Sequence, residues 1–66
     1  MRVTINGTDR DIRPASTVAE LVADFNLQPK FVAVEVNCDL VPRREYSVTR
    51  LNEGDEVEIV TLVGGG

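Results

Sequence analysis

Thr17-Val18-Ala19-Glu20-Leu21-Val22-Ala23-Asp24-Phe25 is the stretch whose reading settles the architecture. Thr17 and Glu20 have the spacing of a capping box, in which the threonine hydroxyl accepts from the Glu20 N–H and the glutamate reaches back to the threonine N–H. From there Val18, Leu21, Val22 and Phe25 fall at i, i+3, i+4 and i+7, one apolar stripe, while Glu20, Ala23 and Asp24 face away. The pattern predicts a helix over about 18–26, ended between Asn26 and Pro29, since the residue before a proline is pushed out of the helical region. The stripe needs an apolar surface to cover, and the rest of the chain offers only sheet.

On the N-terminal side, Val3 and Ile5 alternate with Arg2, Thr4 and Asn6, the period of a half-buried strand, and Asn6-Gly7 supplies the positive φ angles of a tight hairpin. The return strand, Thr8 to Arg13, is polar except for Ile12, as expected of a sheet edge, and Pro14 closes it. On the C-terminal side, Phe31 to Val36 reads as the central strand, with Val32, Val34 and Val36 on one face and Phe31, Ala33 and Glu35 on the other. Asn37-Cys38-Asp39 reads as a turn, Leu40-Val41 as a short strand of a second hairpin, and Pro42 as its end. Asn52-Glu53-Gly54-Asp55 forms a further turn before a last strand over Glu56 to Val63. The expectation is a single α+β domain, one helix on one sheet, with Val3, Ile5, Ile12, the helix stripe, Val32, Val34, Val36, Leu51, Val57 and Ile59 as the shared core.

Composition narrows the function classes. A chain of 66 residues holds one core, buries only about 60% of its unfolded surface and has little to spare for a deep cleft, which weighs against a self-contained enzyme. The net charge of −4 has the wrong sign for a binder of nucleic-acid phosphates. The longest apolar run, Phe31 to Val34, is far short of a membrane span, and the alternating first residues do not read as a secretory leader, so the expected compartment is the cytoplasm. One cysteine makes no internal disulfide, and the absence of histidine removes the usual general base and the commonest metal ligand.

Two features point to chemistry. In the last strand Val57 and Ile59 alternate with Glu56 and Glu58, after which the second face turns apolar at Val60 and Leu62. With Val57 and Ile59 inward, Val60 and Leu62 face away from the helix, beside Ala33 where the strands adjoin, and form a candidate docking patch. The plain alternative is the scatter of exposed valines and leucines that any surface carries. The second feature is Gly64-Gly65-Gly66 directly after that strand. Three glycines there predict a thin, flexible thread that enters a channel too narrow for side chains, reaching about 10 Å when extended. A glycyl carboxyl carbon is also minimally hindered against attack. A frayed tail is the competing explanation.

Taken together, Asn6-Gly7, Thr17-Val18-Ala19-Glu20-Leu21, Val32-Ala33-Val34-Glu35-Val36-Asn37, Val41-Pro42-Arg43, Leu51 to Val60 and the closing Gly65-Gly66 resemble the ThiS sulfur carriers of thiamin biosynthesis over essentially the whole chain. The resemblance implies a ubiquitin-like β-grasp fold with a mixed four- to five-stranded sheet, its first and last strands paired in parallel at the centre. It also implies that the Gly66 carboxylate is adenylated by a ThiF-type partner enzyme using ATP and magnesium. Sulfur from a persulfide donor then turns it into a thiocarboxylate, which goes to a thiazole synthase. Gly64 and Gly65 would thread the partner's site, and Ala33, Val60 and Leu62 would dock. On that basis the chain is a cosubstrate rather than an enzyme, with no metal or cofactor of its own.

Other features are set aside. Cys38 reads as an incidental turn residue without a cation to activate it. Arg43-Arg44 read as a solvated loop, Glu53, Asp55, Glu56 and Glu58 as a solvated acidic edge rather than a cation site, and Tyr46 as packing over the end of the sheet. Competing functions are a small subunit of molybdopterin synthase, a protein modifier that forms isopeptide bonds, and a plain β-grasp interaction module.

Overall fold

The computed structural model describes residues 1–62. A four-residue strand β1 (Arg2–Ile5) turns at Asn6 and Gly7 into β2 (Thr8–Asp11); helix α1 (Val18–Asp24) follows, then β3 (Val32–Val36), β4 (Asp39–Leu40) and β5 (Glu56–Thr61). The strands form one mixed sheet in the order β2-β1-β5-β3-β4. β1 and β5 run parallel, with Thr4 opposite Glu56 and Ile5 opposite Val57, and the other pairs are antiparallel. This is the expected succession of elements and the expected parallel pairing of first and last strands.

The helix begins as its sequence dictates. Thr17 accepts from the Glu20 N–H at 3.1 Å and its own N–H donates to Glu20 Oε1 at 2.8 Å, a complete capping box. The two remaining first-turn donors are met from far along the chain: Val18 N–H donates to the Thr49 carbonyl and Ala19 N–H to that of Tyr46, both at 2.9 Å. The helix ends earlier than the 18–26 expected, because Asn26 adopts φ +59 and stops propagation one residue past Phe25. Asn26 N–H then bonds to Ala23 O and Leu27 N–H to Val22 O, closing the last carbonyls in a Schellman arrangement. Proline plays no part in that stop; Pro29 starts a 3-10 turn, Pro29–Phe31.

One face of the sheet packs on α1. Val3, Ile5, Val32, Val34, Val57 and Ile59 meet Val18, Leu21 and Val22 in a core completed by Leu51, Val41 and Tyr46. Ile12, Phe25 and Val36 pack against it only in part. Tyr46 follows a second 3-10 turn (Arg43–Glu45), is buried, and sets its hydroxyl 3.5 Å from the Val32 carbonyl.

Several boundaries differ from expectation. The central strand is β5, flanked on both sides; β3 has only the two-residue β4 beyond it, because β1 joins the sheet through β5. Phe31 belongs to the 3-10 turn rather than to β3. The second hairpin turns on Asn37 and Cys38 alone, at φ +52 and +71, so Asp39 is already strand, while buried Val41 lies past the end of β4. β2 is wholly exposed at the edge and stops at Asp11, short of Arg13. β5 ends at Thr61, and Val63 lies outside the described residues.

Candidate functional site

β5 carries the candidate site, and two turn asparagines hold it in place. β1 donates Thr4 N–H to Asp55 O and Asn6 N–H to Val57 O, each at 2.9 Å. At Asn6, φ +50, the backbone leaves the ladder, and the side chain continues it: Ile59 N–H donates to Asn6 Oδ1 at 2.8 Å and Asn6 Nδ2 donates to the Ile59 carbonyl at 3.2 Å. On the other side Asn37 does the same for the start of β5. Its N–H donates to Glu56 O at 2.7 Å, its Oδ1 accepts from Glu56 N–H at 3.0 Å, and its Nδ2 donates to Asp55 Oδ1 at 3.0 Å.

With Val57 and Ile59 turned to the helix, Glu56, Glu58 and Val60 face outward. Val60 is 54% exposed and pairs with half-buried Ala33, and Leu62 is 46% exposed, its N–H bonded to the Phe31 carbonyl at 2.7 Å. The structure therefore brings Ala33, Val60 and Leu62 together on the face that the helix does not cover. It also brings residues that the sequence did not single out. Exposed Phe31 stands beside Leu62, and Leu40, 66% exposed, pairs with Glu35 on the outer face. Leu40, Pro42, Ala33 and Leu62 line a groove of about 210 Å³ at the margin of the sheet. No signal in the sequence marked Leu40 as outward, because a two-residue strand is too short to show alternation. Gly64, Gly65 and Gly66, assigned from the sequence to the thread and the modified carboxylate, lie outside the described residues.

The acidic residues divide. Asp55 is not part of a solvated edge: it is buried, and its two carboxylate oxygens accept from Asn37 Nδ2 and from Asn52 N–H at 2.8 Å. Glu35, Glu56 and Glu58 stay outside and line a shallow depression of about 360 Å³ with Thr4, Gly7 and Cys38. Cys38 is exposed in the β3–β4 turn, and no cation lines the depression beside it. Among the described residues no set of three or more Asp, Glu, Cys or His side chains is placed to hold a metal ion, and no helix is long and apolar enough to cross a membrane.

One helix under a five-stranded mixed sheet, with parallel first and last strands and an apolar patch beside the exit of β5, defines a ubiquitin-like β-grasp domain. The model of the ThiS family matches residues 3–66, and the chain belongs to that family. It is 35% identical to the sulfur carrier protein ThiS of Bacillus subtilis over 63 residues, covering 94% of this chain and 96% of that protein. It is 38% identical over all 66 residues to a thiazole synthase of Paramagnetospirillum magneticum, of which it spans only 20%. The crystal structure of a thiamine biosynthesis protein (ThiS) from Geobacter metallireducens superposes with a TM-score of 0.85 at 30% identity, covering both chains completely.

Proposed function

We propose that this domain is a protein-borne sulfur carrier for the thiazole moiety in thiamin biosynthesis, acting in the cytoplasm as a cosubstrate and not as a catalyst. The observation that carries this reading is the match to ThiS carriers across nearly the full length of both proteins, together with the family match running through residue 66. The Gly66 carboxylate attacks the α-phosphate of ATP in a ThiF-type enzyme that holds magnesium, and pyrophosphate leaves. The mixed anhydride makes the carbonyl carbon electrophilic, which a free carboxylate is not. The outer sulfur of a cysteine persulfide then displaces AMP, and a second thiol cleaves the S–S bond to leave a thiocarboxylate on Gly66.

A thiazole synthase is the acceptor. In support, the Paramagnetospirillum magneticum protein named thiazole synthase contains a counterpart of this whole domain. Tethering keeps the sulfur at high effective concentration for the next step and avoids free sulfide. Gly64 and Gly65, without side chains, thread the partner's channel, and Ala33, Val60 and Leu62 dock against it. A fixed final strand suits this task, since the two asparagines fasten β5 at Glu56 and at Ile59 against both of its neighbours.

The test is intact-mass spectrometry of the 66-residue chain after incubation with a ThiF-type enzyme, magnesium, ATP and a persulfide source. A gain equal to exchanging one oxygen for one sulfur, localised to Gly66 and absent without ATP, is expected. An unchanged mass, with the enzyme competent on a control carrier, overturns the assignment.

A further inference from the structure

The outer face of the sheet is graded in charge along β5. Glu56 and Glu58 stand at its start with Glu35 beside them, Val60 and Ala33 form the middle, and Leu62 follows at the exit. From Glu56 to Leu62 is roughly 20 Å at the rise of a strand. The exit end is basic. Leu62 is bonded to Phe31, the Lys30 ammonium lies 5.1 Å over the Phe31 ring, and Arg43 donates Nε to the Pro29 carbonyl at 2.9 Å. Arg43 also lines the apolar groove with Leu62, and Arg44, the next residue, has 82% of its side chain exposed and sets Nη2 4.0 Å from Glu45 Oε2.

Lys30 and Arg43 of an acidic chain thus meet at the exit of β5, with Arg44 next to Arg43 in sequence. The other four arginines are placed elsewhere: Arg2 and Arg13 pair with Asp11 and Asp24, Arg10 lies over Phe25, and Arg50 bonds to the Ala15 carbonyl. Arg43, set aside from the sequence with Arg44, therefore acquires a place in the site. The tertiary structure joins Arg43 to Lys30, which is distant in sequence, and to the exit of β5.

Resting on the carrier assignment, we propose that this face is an oriented docking surface for a partner protein of complementary gradient. That partner presents carboxylates beside the opening that receives the glycines, an apolar ridge that fills the groove between Leu40 and Leu62, and cations opposite Glu35, Glu56 and Glu58. Charges of opposite sign at the two ends of one patch align the approaching molecules before contact and penalise the reversed pose, in which like charges would meet. An apolar patch alone would leave the direction of the glycine thread unspecified.

The experiment measures thiocarboxylate formation by the ThiF-type enzyme as a function of carrier and salt concentration. It compares the wild type with the double variant Lys30→Glu/Arg44→Glu, which spares the Arg43 bond to Pro29. A second double variant, Arg10→Glu/Arg13→Glu, makes the same change in net charge on the helix side. The expected result is a KM raised about tenfold by the exit variant, with kcat unchanged and the salt dependence of KM flattened. The helix-side variant keeps the KM of the wild type. Circular dichroism checks that each variant is folded. A KM within twofold of wild type for the exit variant overturns the oriented surface while leaving the carrier intact; a wild type that is never modified overturns the carrier assignment itself. Sedimentation of the chain alone supplies the last arm, since a dimer broken by the exit variant would assign the face to a second copy and overturn the proposal.

Discussion

The Asn6 side chain and the Ile59 backbone, 53 positions apart, exchange two hydrogen bonds, at 2.8 Å and 3.2 Å. The amide stands in for one more residue of β1 at the point where the hairpin must turn away, so β5 remains paired beyond the physical end of its neighbour. Asn6→Gly keeps the φ of +50 accessible and removes only the side chain. Denaturant unfolding is expected to show a loss of about 1–2 kcal/mol, the value of two part-buried bonds less what water recovers. An unchanged midpoint would show that the clasp contributes nothing.

Asp55 gathers the Asn52–Asp55 turn and the β3–β4 turn onto one buried carboxylate. Asp55→Ala leaves the Asn52 N–H and the Asn37 amide without that acceptor. The expected cost is about 2–3 kcal/mol, since bonds to a charged group are the stronger ones, and a domain this small has only about 3–10 kcal/mol in total. Urea melts of Asp55→Ala and Asp55→Asn, with the asparagine the milder, check this.

Ala15 sits at φ +63, where a Cβ is strained, while its carbonyl accepts from Arg50 Nη1 at 3.0 Å. Relief of about 1–2 kcal/mol in the folded state outweighs the entropy that glycine adds to the unfolded chain. Ala15→Gly is expected to stabilise by about 0.5–1 kcal/mol and to raise Tm by a few degrees, as read by calorimetry.

The Thr17 N–H, with help from its hydroxyl, holds the Glu20 carboxyl below its ordinary value of 4.5. A carboxylate whose folded value is lowered stabilises the fold above the unfolded value, and that contribution disappears as pH falls through the lowered one. Between about pH 5 and 3 the wild type should therefore lose more stability than Glu20→Gln. Equal pH profiles in thermal melts would remove the capping box as a source of acid sensitivity.

Elements written in contiguous residues were legible in the sequence. The capping box at Thr17 and Glu20, the stripe through Leu21 and Val22, the turn at Asn6-Gly7 and the alternation of Val57 and Ile59 each act within a few residues, and each is where its pattern put it. The outward placement of Val60 beside Ala33 also followed, because a strand whose inner face is known fixes its outer one. Asp55 was misjudged, since nothing local distinguishes a buried carboxylate from a solvated one until its partners Asn37 and Asn52 are brought to it.

By itself, then, the sequence determined the elements, their order and the patch on the last strand, because periodicity, caps and turn residues act at short range. It also carried the family resemblance that led to the carrier reading. Only the tertiary structure decided that β5 rather than β3 takes the middle of the sheet, and that Asn6 and Asn37 fasten it from both sides. Closure likewise set Lys30, Arg43 and Leu62 around one exit. These relations join residues tens of positions apart, and they exist only once burial of the helix stripe has closed the sheet.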